Sequence, residues 1–160
     1  MRIAFTGGGT GGHLYPIVAV AREIKRIAEE ERIVDIQLFY FGPESIAAET
    51  AAKEEIIFER IPAGKMRRYF SPLNISDIFK TVFGVAKALW KMFALLPDVV
   101  FAKGGYGSFP VLLAARLYHI PVIVHESDAV PGKVNGWAGK WAARIAISFA
   151  SAAEYFPKEK

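Results

Sequence analysis

Residues 1–13 read Met1-Arg2-Ile3-Ala4-Phe5-Thr6-Gly7-Gly8-Gly9-Thr10-Gly11-Gly12-His13. The short run Arg2–Phe5 has the make-up of a strand, and Thr6 leads from it into five glycines within six positions. Beyond them, Ile17, Val20, Ala21, Ile24 and Ile27 recur at helical spacing. Pro16 is expected in the first turn of that helix, where its missing N–H costs little. A strand, a glycine turn and a helix in this order open an α/β sheet. Glycines here let the backbone take positive φ and approach a ligand closely. The helix start then offers unpaired N–H groups to an anion.

The same alternation continues along the chain. Strands are expected at Ile33–Phe41, Ile56–Ile61, Asp98–Ala102, Pro121–His125 and Arg144–Phe149. Helices are expected at Glu44–Glu55, Asn74–Leu96, Phe109–Tyr118 and Gly132–Ala143. Gly42-Pro43 stops the second strand, Pro62–Pro72 is a basic loop, and Ala150–Lys160 is an exit segment. Val99-Val100-Phe101 and Val122-Ile123-Val124 are unbroken apolar runs, as strands covered on both faces require. The fold expected is an open, mostly parallel α/β sheet of about six strands with helices on both faces. Ligands of such sheets sit beyond the carboxyl ends of the strands. Gly7–His13, Lys103–Ser108 and His125–Asp128 all fall at such ends.

Composition narrows the field. The chain has 160 residues, 52% of them hydrophobic and no cysteine. That length suits one domain with a real core. A disulfide framework, a thiolate nucleophile and a Cys-ligated metal are excluded. The N-terminal apolar stretch is too short for a secretory signal, and no run reaches the ~18 apolar residues of a spanning helix. A soluble or peripheral domain is expected. The net charge is +4, and it is unevenly spread. Between Ala63 and Leu96 stand Lys65, Arg67, Arg68, Lys80, Lys87 and Lys91, with only Asp77 against them. Such a patch attracts an anionic surface. Nucleic acid is not expected, because the basic residues lie among aliphatics rather than on an aromatic stacking platform.

The glycine loops point to phosphate. Gly7, Gly9 and Gly12 satisfy the dinucleotide fingerprint, but Leu38–Gly42 supplies no acidic residue for a ribose. A P-loop is excluded, since His13-Leu14 stands where Lys-Ser/Thr is needed. His13, at the helix start, is a candidate neutral base or a plain capping residue. Lys103-Gly104-Gly105-Tyr106-Gly107-Ser108 repeats the strand–glycine–helix logic, with Ser108 as N-cap. Two such loops on one rim fit a ligand with two phosphates, or a phosphate and a sugar. His125 and Glu126 are adjacent on a strand and face opposite sides, so they cannot readily share a metal. With three histidines and no H-E-x-x-H, no metal site is expected. His119 is expected at the surface. Asn135 is either at the surface or facing the cleft.

Gly8–His13 (GGTGGH), Pro97–Val100 through Gly104–Pro110, and Ile120–Glu126 together resemble the N-terminal half of the MurG family of bacterial N-acetylglucosaminyltransferases (glycosyltransferase family 28). That family makes lipid II from lipid I in peptidoglycan synthesis. The resemblance runs from Arg2 to about Pro157. It implies an inverting glycosyltransferase of the GT-B type, in which two Rossmann-like halves face each other across a cleft. Residues 1–150 would be the acceptor- and membrane-binding domain, and 151–160 the exit toward a donor-binding domain. It further implies that Gly11, Gly12, Gly104, Gly105 and Tyr106 line the acceptor diphosphate. His13 would be the base for the acceptor hydroxyl, while Thr10, His125, Glu126, Asp128 and Asn135 shape the cleft. No cofactor or metal is implied in this half. UDP-GlcNAc would be held mainly by a C-terminal donor domain or donor subunit, so the chain alone is expected not to turn over. The family reads Gln-Asn after His-Glu, whereas this chain has Ser127-Asp128. An ionised Asp cannot donate a hydrogen bond as Asn does. Asp128 is thus a base candidate or the mark of a changed acceptor.

The Asn74–Leu96 helix carries Ile75, Ile78, Phe79, Val82, Phe83, Ala86, Leu89, Trp90 and Phe93, which with Val85, Met92 and Leu96 make an apolar arc of about 180°, against roughly 100° for a helix that only covers a sheet. Lys80, Lys87 and Lys91 are expected opposite that arc, and Gly84 is expected to allow a bend. The surplus apolar surface fits a bilayer with anionic head groups near the lysines and Arg67-Arg68. A buried helix with a solvated lysine face is the alternative. With the family resemblance, the location implied is peripheral, on the cytoplasmic face of the bacterial plasma membrane. The competing class is a non-catalytic membrane-associated or nucleotide-binding module that serves as scaffold for a partner subunit.

Overall fold

A computed structural model of the chain describes residues 1–8, 11–43, 46–65 and 73–160. The elements in chain order are β1 (Arg2–Gly7), α1 (Gly11–Glu30), β2 (Gln37–Gly42), α2 (Ile46–Lys53), β3 (Ile57–Arg60), α3 (Leu73–Leu95), β4 (Val99–Gly104), α4 (Phe109–Leu117), β5 (Val122–Glu126), α5 (Lys133–Gly139) and β6 (Arg144–Ile147). Short 3-10 turns span Tyr106–Ser108 and Ala150–Tyr155. The sheet order is β3-β2-β1-β4-β5-β6, and every pairing is parallel. The chain therefore reverses its winding between β1 and β4. Open sheets of this kind hold their ligands at such a switch, beyond the carboxyl ends of the two strands.

Strand alternation divides the core into two layers. Ala4, Phe39, Phe41, Val100, Ala102, Val122 and Val124 meet Ala88 and Met92 of α3, Val111, Leu112 and Ala115 of α4, and Val134 and Ala138 of α5. Their neighbours Ile3, Phe5, Leu38, Tyr40 and Phe101 point the other way, onto Leu14, Ile17, Val18 and Ala21 of α1 and Ala51 of α2. Both sheet faces are covered, which accounts for the continuous apolar strands.

Several local expectations are corrected. β1 runs on to Gly7 and β4 to Gly104, so both glycine loops start one or two residues later than their apolar runs end. β2 begins only at Gln37, because Arg32 and Asp35 take positive φ and turn the chain. α1 begins at Gly11, which puts Pro16 inside the helix rather than in its first turn. The bond Pro16 cannot make is the one Gly12 would accept. α5 stops at Gly139, well short of Ala143; Gly136 and Gly139 weaken it, and Phe156 packs against Gly139 from the C-terminal segment. Gly84 serves close approach rather than bending: a Cβ there would run into the Pro62 carbonyl.

α3 presents a larger correction. Asp77, Gly84, Ala88 and Met92 face the sheet and are buried. Ile75, Ile78, Phe79, Val82, Phe83, Trp90 and Phe93 face outward, with Phe79 70% and Trp90 73% exposed. At 100° per residue, Lys80, Lys87 and Lys91 fall between these two arcs instead of opposite the apolar one. Lys91 Nζ pairs with Glu59 of β3 at 2.7 Å, and Lys80 approaches Asp77 at 3.5 Å. Arg67 and Arg68 lie outside the described residues. No helix among those described is long and apolar enough to cross a membrane.

Candidate active site

The three loops predicted to share a rim do meet at the β1/β4 switch. Gly8 lies so close to Gly107 that a Cβ on Gly8 would come within 2.5 Å of the Gly107 Cα. Gly105 has φ 83, and a Cβ there would sit 2.5 Å from the Gly8 carbonyl oxygen and 2.8 Å from Cε1 of His13. Only glycine fits such a backbone and such contact. The first and second glycine loops are thus packed together, with the imidazole of His13 seated over Gly105.

His13 stands in the first turn of α1, and its Nδ1 bonds the carbonyl oxygen of Gly8. A carbonyl only accepts, so Nδ1 carries the proton and the basic lone pair of the neutral ring is on Nε2. Burial lowers the His13 pKa below the ordinary histidine value, and the Lys103 charge lowers it further; Asp128 and Glu126 pull weakly the other way. The ring is therefore neutral at pH 7 and able to take a proton at Nε2.

On the opposite sheet face, Glu126 is buried. Its carboxylate accepts from the backbone N–H of Asp128 at 3.0 Å, the N–H of Gly132 at 3.2 Å and Nδ2 of Asn135 at 3.0 Å. These donors satisfy a charge that would otherwise be costly to bury. Glu126 thereby folds the 126–132 loop and anchors α5. Asn135 Nδ2 also donates to the His125 carbonyl at 3.2 Å. Its Oδ1 is buried without a partner and fills the space where a side chain on Gly104 (φ 89) would be. Glu126 and Asn135 shape the rim from beneath it.

His125 points to the α1 side, stacked on Phe101 with ring centroids 5.9 Å apart. Its Nε2 is 3.4 Å from Ser148 Oγ. Burial, then the Lys103 charge, lowers its pKa. Asp128 is exposed, and its backbone N–H is held by Glu126. Tyr106 is half-buried at the start of its 3-10 turn. Ser108 occupies the N-cap position of α4 without a side-chain cap; its hydroxyl donates to the Gly105 carbonyl at 2.8 Å and so fixes the loop instead. Gly11 and Gly12 open α1, and Thr10 lies outside the described residues. Among the described residues no group of three or more His, Cys, Asp or Glu could hold a metal ion.

The sequence places Lys103 at the head of the second glycine loop and Ser127 beside Asp128, but gives neither a role of its own. Lys103 is 3% exposed, and its Nζ donates to Ser127 Oγ at 2.7 Å. The signal was present: a lysine between a fully apolar strand and a glycine pair is out of place as surface decoration.

Residues 3–147 match the model of the glycosyltransferase family 28 N-terminal domain. The chain is 38% identical over 157 residues to the UDP-N-acetylglucosamine--N-acetylmuramyl-(pentapeptide) pyrophosphoryl-undecaprenol N-acetylglucosamine transferase of Borrelia hermsii, covering 97% of this chain and 42% of that protein. A transferase of the same description from Bacillus thuringiensis (strain Al Hakam) is 41% identical over 160 residues, covering 99% and 44%. The chain thus spans less than half the length of these relatives. Among solved structures it resembles Acinetobacter baumannii MurG, with a TM-score of 0.73, 27% identity, and 98% of this chain against 42% of that one covered. A UDP-GlcNAc 2-epimerase from Neisseria meningitidis shares the fold at a TM-score of 0.61 and 13% identity, covering 97% and 48%.

Proposed function

This chain belongs to the family of glycosyltransferase family 28 N-terminal domains, and from that premise we propose that it is the acceptor-binding half of an inverting N-acetylglucosaminyltransferase. The transferred sugar comes from UDP-GlcNAc and the acceptor is a polyprenyl-diphosphate-linked sugar, as in the conversion of lipid I to lipid II. The observation that carries the reading is His13. Its Nδ1 is committed to the Gly8 carbonyl, and burial keeps the ring neutral, so Nε2 is the basic atom of a ring packed between the two glycine loops.

In this mechanism the acceptor diphosphate lies against the glycine loops, where Gly11, Gly12, Gly104 and Gly105 allow backbone contact and the α1 N-terminus favours negative charge. Nε2 of His13 takes the proton of the acceptor sugar hydroxyl. The hydroxyl oxygen forms the new bond to the anomeric carbon from the face opposite UDP. The bond to the UDP oxygen breaks, and UDP leaves with that electron pair. Tyr106, His125, Glu126, Asp128 and Asn135 hold the loops around this path. Most of the UDP-GlcNAc contacts belong to a C-terminal donor-binding half.

The outward apolar stripe of α3, bordered by Lys80 and Lys87, supports docking on an anionic membrane as a peripheral protein at the cytoplasmic face. The test of the catalytic reading is turnover with the donor-binding half joined to the chain. His13→Ala should lower kcat by about 10²–10⁴-fold while the melting temperature changes little. Unchanged turnover removes His13 as the base.

A further inference from the structure

We propose that Lys103 and Ser127 form a diphosphate-binding pair on the floor of the crevice, a specificity-determining contact additional to the glycine loops. The inference rests on the reading of the crevice as a site for a diphosphate-linked substrate. On β4, Val99 and Phe101 pack on the α1 side of the sheet; the β1–β4 register shifts at Lys103, with Gly7 pairing with Gly104. A Cβ on Gly7 would lie 3.5 Å from the Lys103 Cβ and 3.4 Å from the His13 Cβ, which puts the start of the Lys103 side chain on that side as well. On β5, His125 stacks on Phe101 on the same side, and Ser127 follows two residues later. His13, Lys103, His125 and Ser127 thus gather on one face at the strand ends.

Lys103 is almost wholly buried, and among the described residues its ammonium has one partner, the Ser127 hydroxyl at 2.7 Å. Among the described residues no carboxylate lies within ion-pair distance of it. Glu126 is engaged on the far face by three N–H donors. A buried ammonium without a counter-charge is costly to the fold, and such a cost is offset when a ligand supplies the anion. Ser127 accepts from Lys103 and keeps its own O–H to donate. The pair therefore offers three donors, two ammonium N–H groups and one hydroxyl O–H. An oxyanion of high charge fits them, and lysine is a point-charge phosphate binder. The Lys103 charge also acts on both His13 and His125, so the amine lies within electrostatic reach of the proposed base.

A diphosphate could come from a prenyl-linked acceptor or from a nucleotide donor. The test titrates pyrophosphate into the chain and into Lys103→Met and Ser127→Ala, following backbone amides of Gly104–Ser108 and Ser127 by NMR. Lys103→Met should weaken pyrophosphate binding about tenfold or more and Ser127→Ala severalfold. Lys103→Met should also raise the titration midpoints of His13 and His125, and Lys103→Arg, which keeps the charge, should return them toward their original values, a rescue that generic loss of packing would not give. Should Lys103→Met not fold, Ser127→Ala alone decides the matter. Parallel titrations with geranyl diphosphate and with UDP identify the source by which of them loses affinity in the variants. Absence of pyrophosphate binding by the unaltered chain, equal affinity in the variants, or no loss with either organic diphosphate overturns the proposal. Lost pyrophosphate affinity in Lys103→Met beside unchanged turnover in His13→Ala would sink the catalytic reading and leave this pair standing. The reverse would sink the pair alone.

Discussion

The imidazole of His13 is held between two carbonyl-bearing glycine loops: its Nδ1 bonds the Gly8 carbonyl, and Gly105 lies beneath its Cε1. One interaction fixes the tautomer, and the other fixes the ring position. Residues nearly a hundred positions apart are joined in this way at the crevice.

Gly105 is accordingly intolerant of a side chain. Gly105→Ala places a Cβ against the Gly8 carbonyl and the His13 ring, on a backbone at φ 83. A loss of about 1–3 kcal/mol is expected, with displacement of the His13 ring resonances. Urea denaturation and histidine NMR check both; an unperturbed His13 spectrum would contradict the packing described.

Acid should weaken the fold through two histidines. His13 and His125 both have pKa values lowered by burial, so below their unfolded value near 6.5 the unfolded chain binds more protons than the folded one. Stability is full above about pH 6.5 and falls as pH drops from there through the folded values. Urea midpoints at pH 8 and pH 5 measure this. The double variant His13→Gln, His125→Gln should show a smaller drop than the unaltered chain.

Glu126→Gln tests the loop clamp. The carboxylate accepts from three donors, and a glutamine must turn its own NH₂ toward at least one of them. A cost of about 1–3 kcal/mol is expected, concentrated in the 126–132 loop and the start of α5. Hydrogen exchange locates it; uniform protection across that segment would argue against a clamp.

The two faces of α3 should separate stability from surface binding. Phe79→Glu with Phe83→Glu alters exposed positions and should shift stability by no more than about 0.5 kcal/mol per site. It should abolish sedimentation with anionic vesicles. Met92→Glu, at a fully buried position, should prevent folding. Vesicle binding that survives the double substitution would remove the membrane role of this stripe.

Much of the fold was readable from local pattern. Strand runs such as Val122–Val124 and the glycine clusters at Gly7–Gly12 and Gly104–Gly107 are local signals, and they set the alternation of elements and the rim where ligand chemistry belongs. His13 was readable for the same reason, since its place at a strand–glycine–helix junction is fixed within a few residues. The α3 helix was only half readable. Its periodicity shows a wide apolar arc, but periodicity does not say which part meets the sheet. Small residues at Gly84 and Ala88 with Met92 allow close packing on the core, and this leaves Phe79, Phe83, Trp90 and Phe93 outside.

By itself the sequence determined the kind of sheet, the position of its glycine loops and the placing of a histidine at the first of them, because each depends on neighbours a few residues apart. Tertiary structure alone decided that Lys103 is buried beside Ser127, that Glu126 is a clamp on the far face, and that the lysines of α3 border its exposed apolar stripe. Those outcomes depend on pairings across strands and layers, where burial and charge are set by residues distant in the chain.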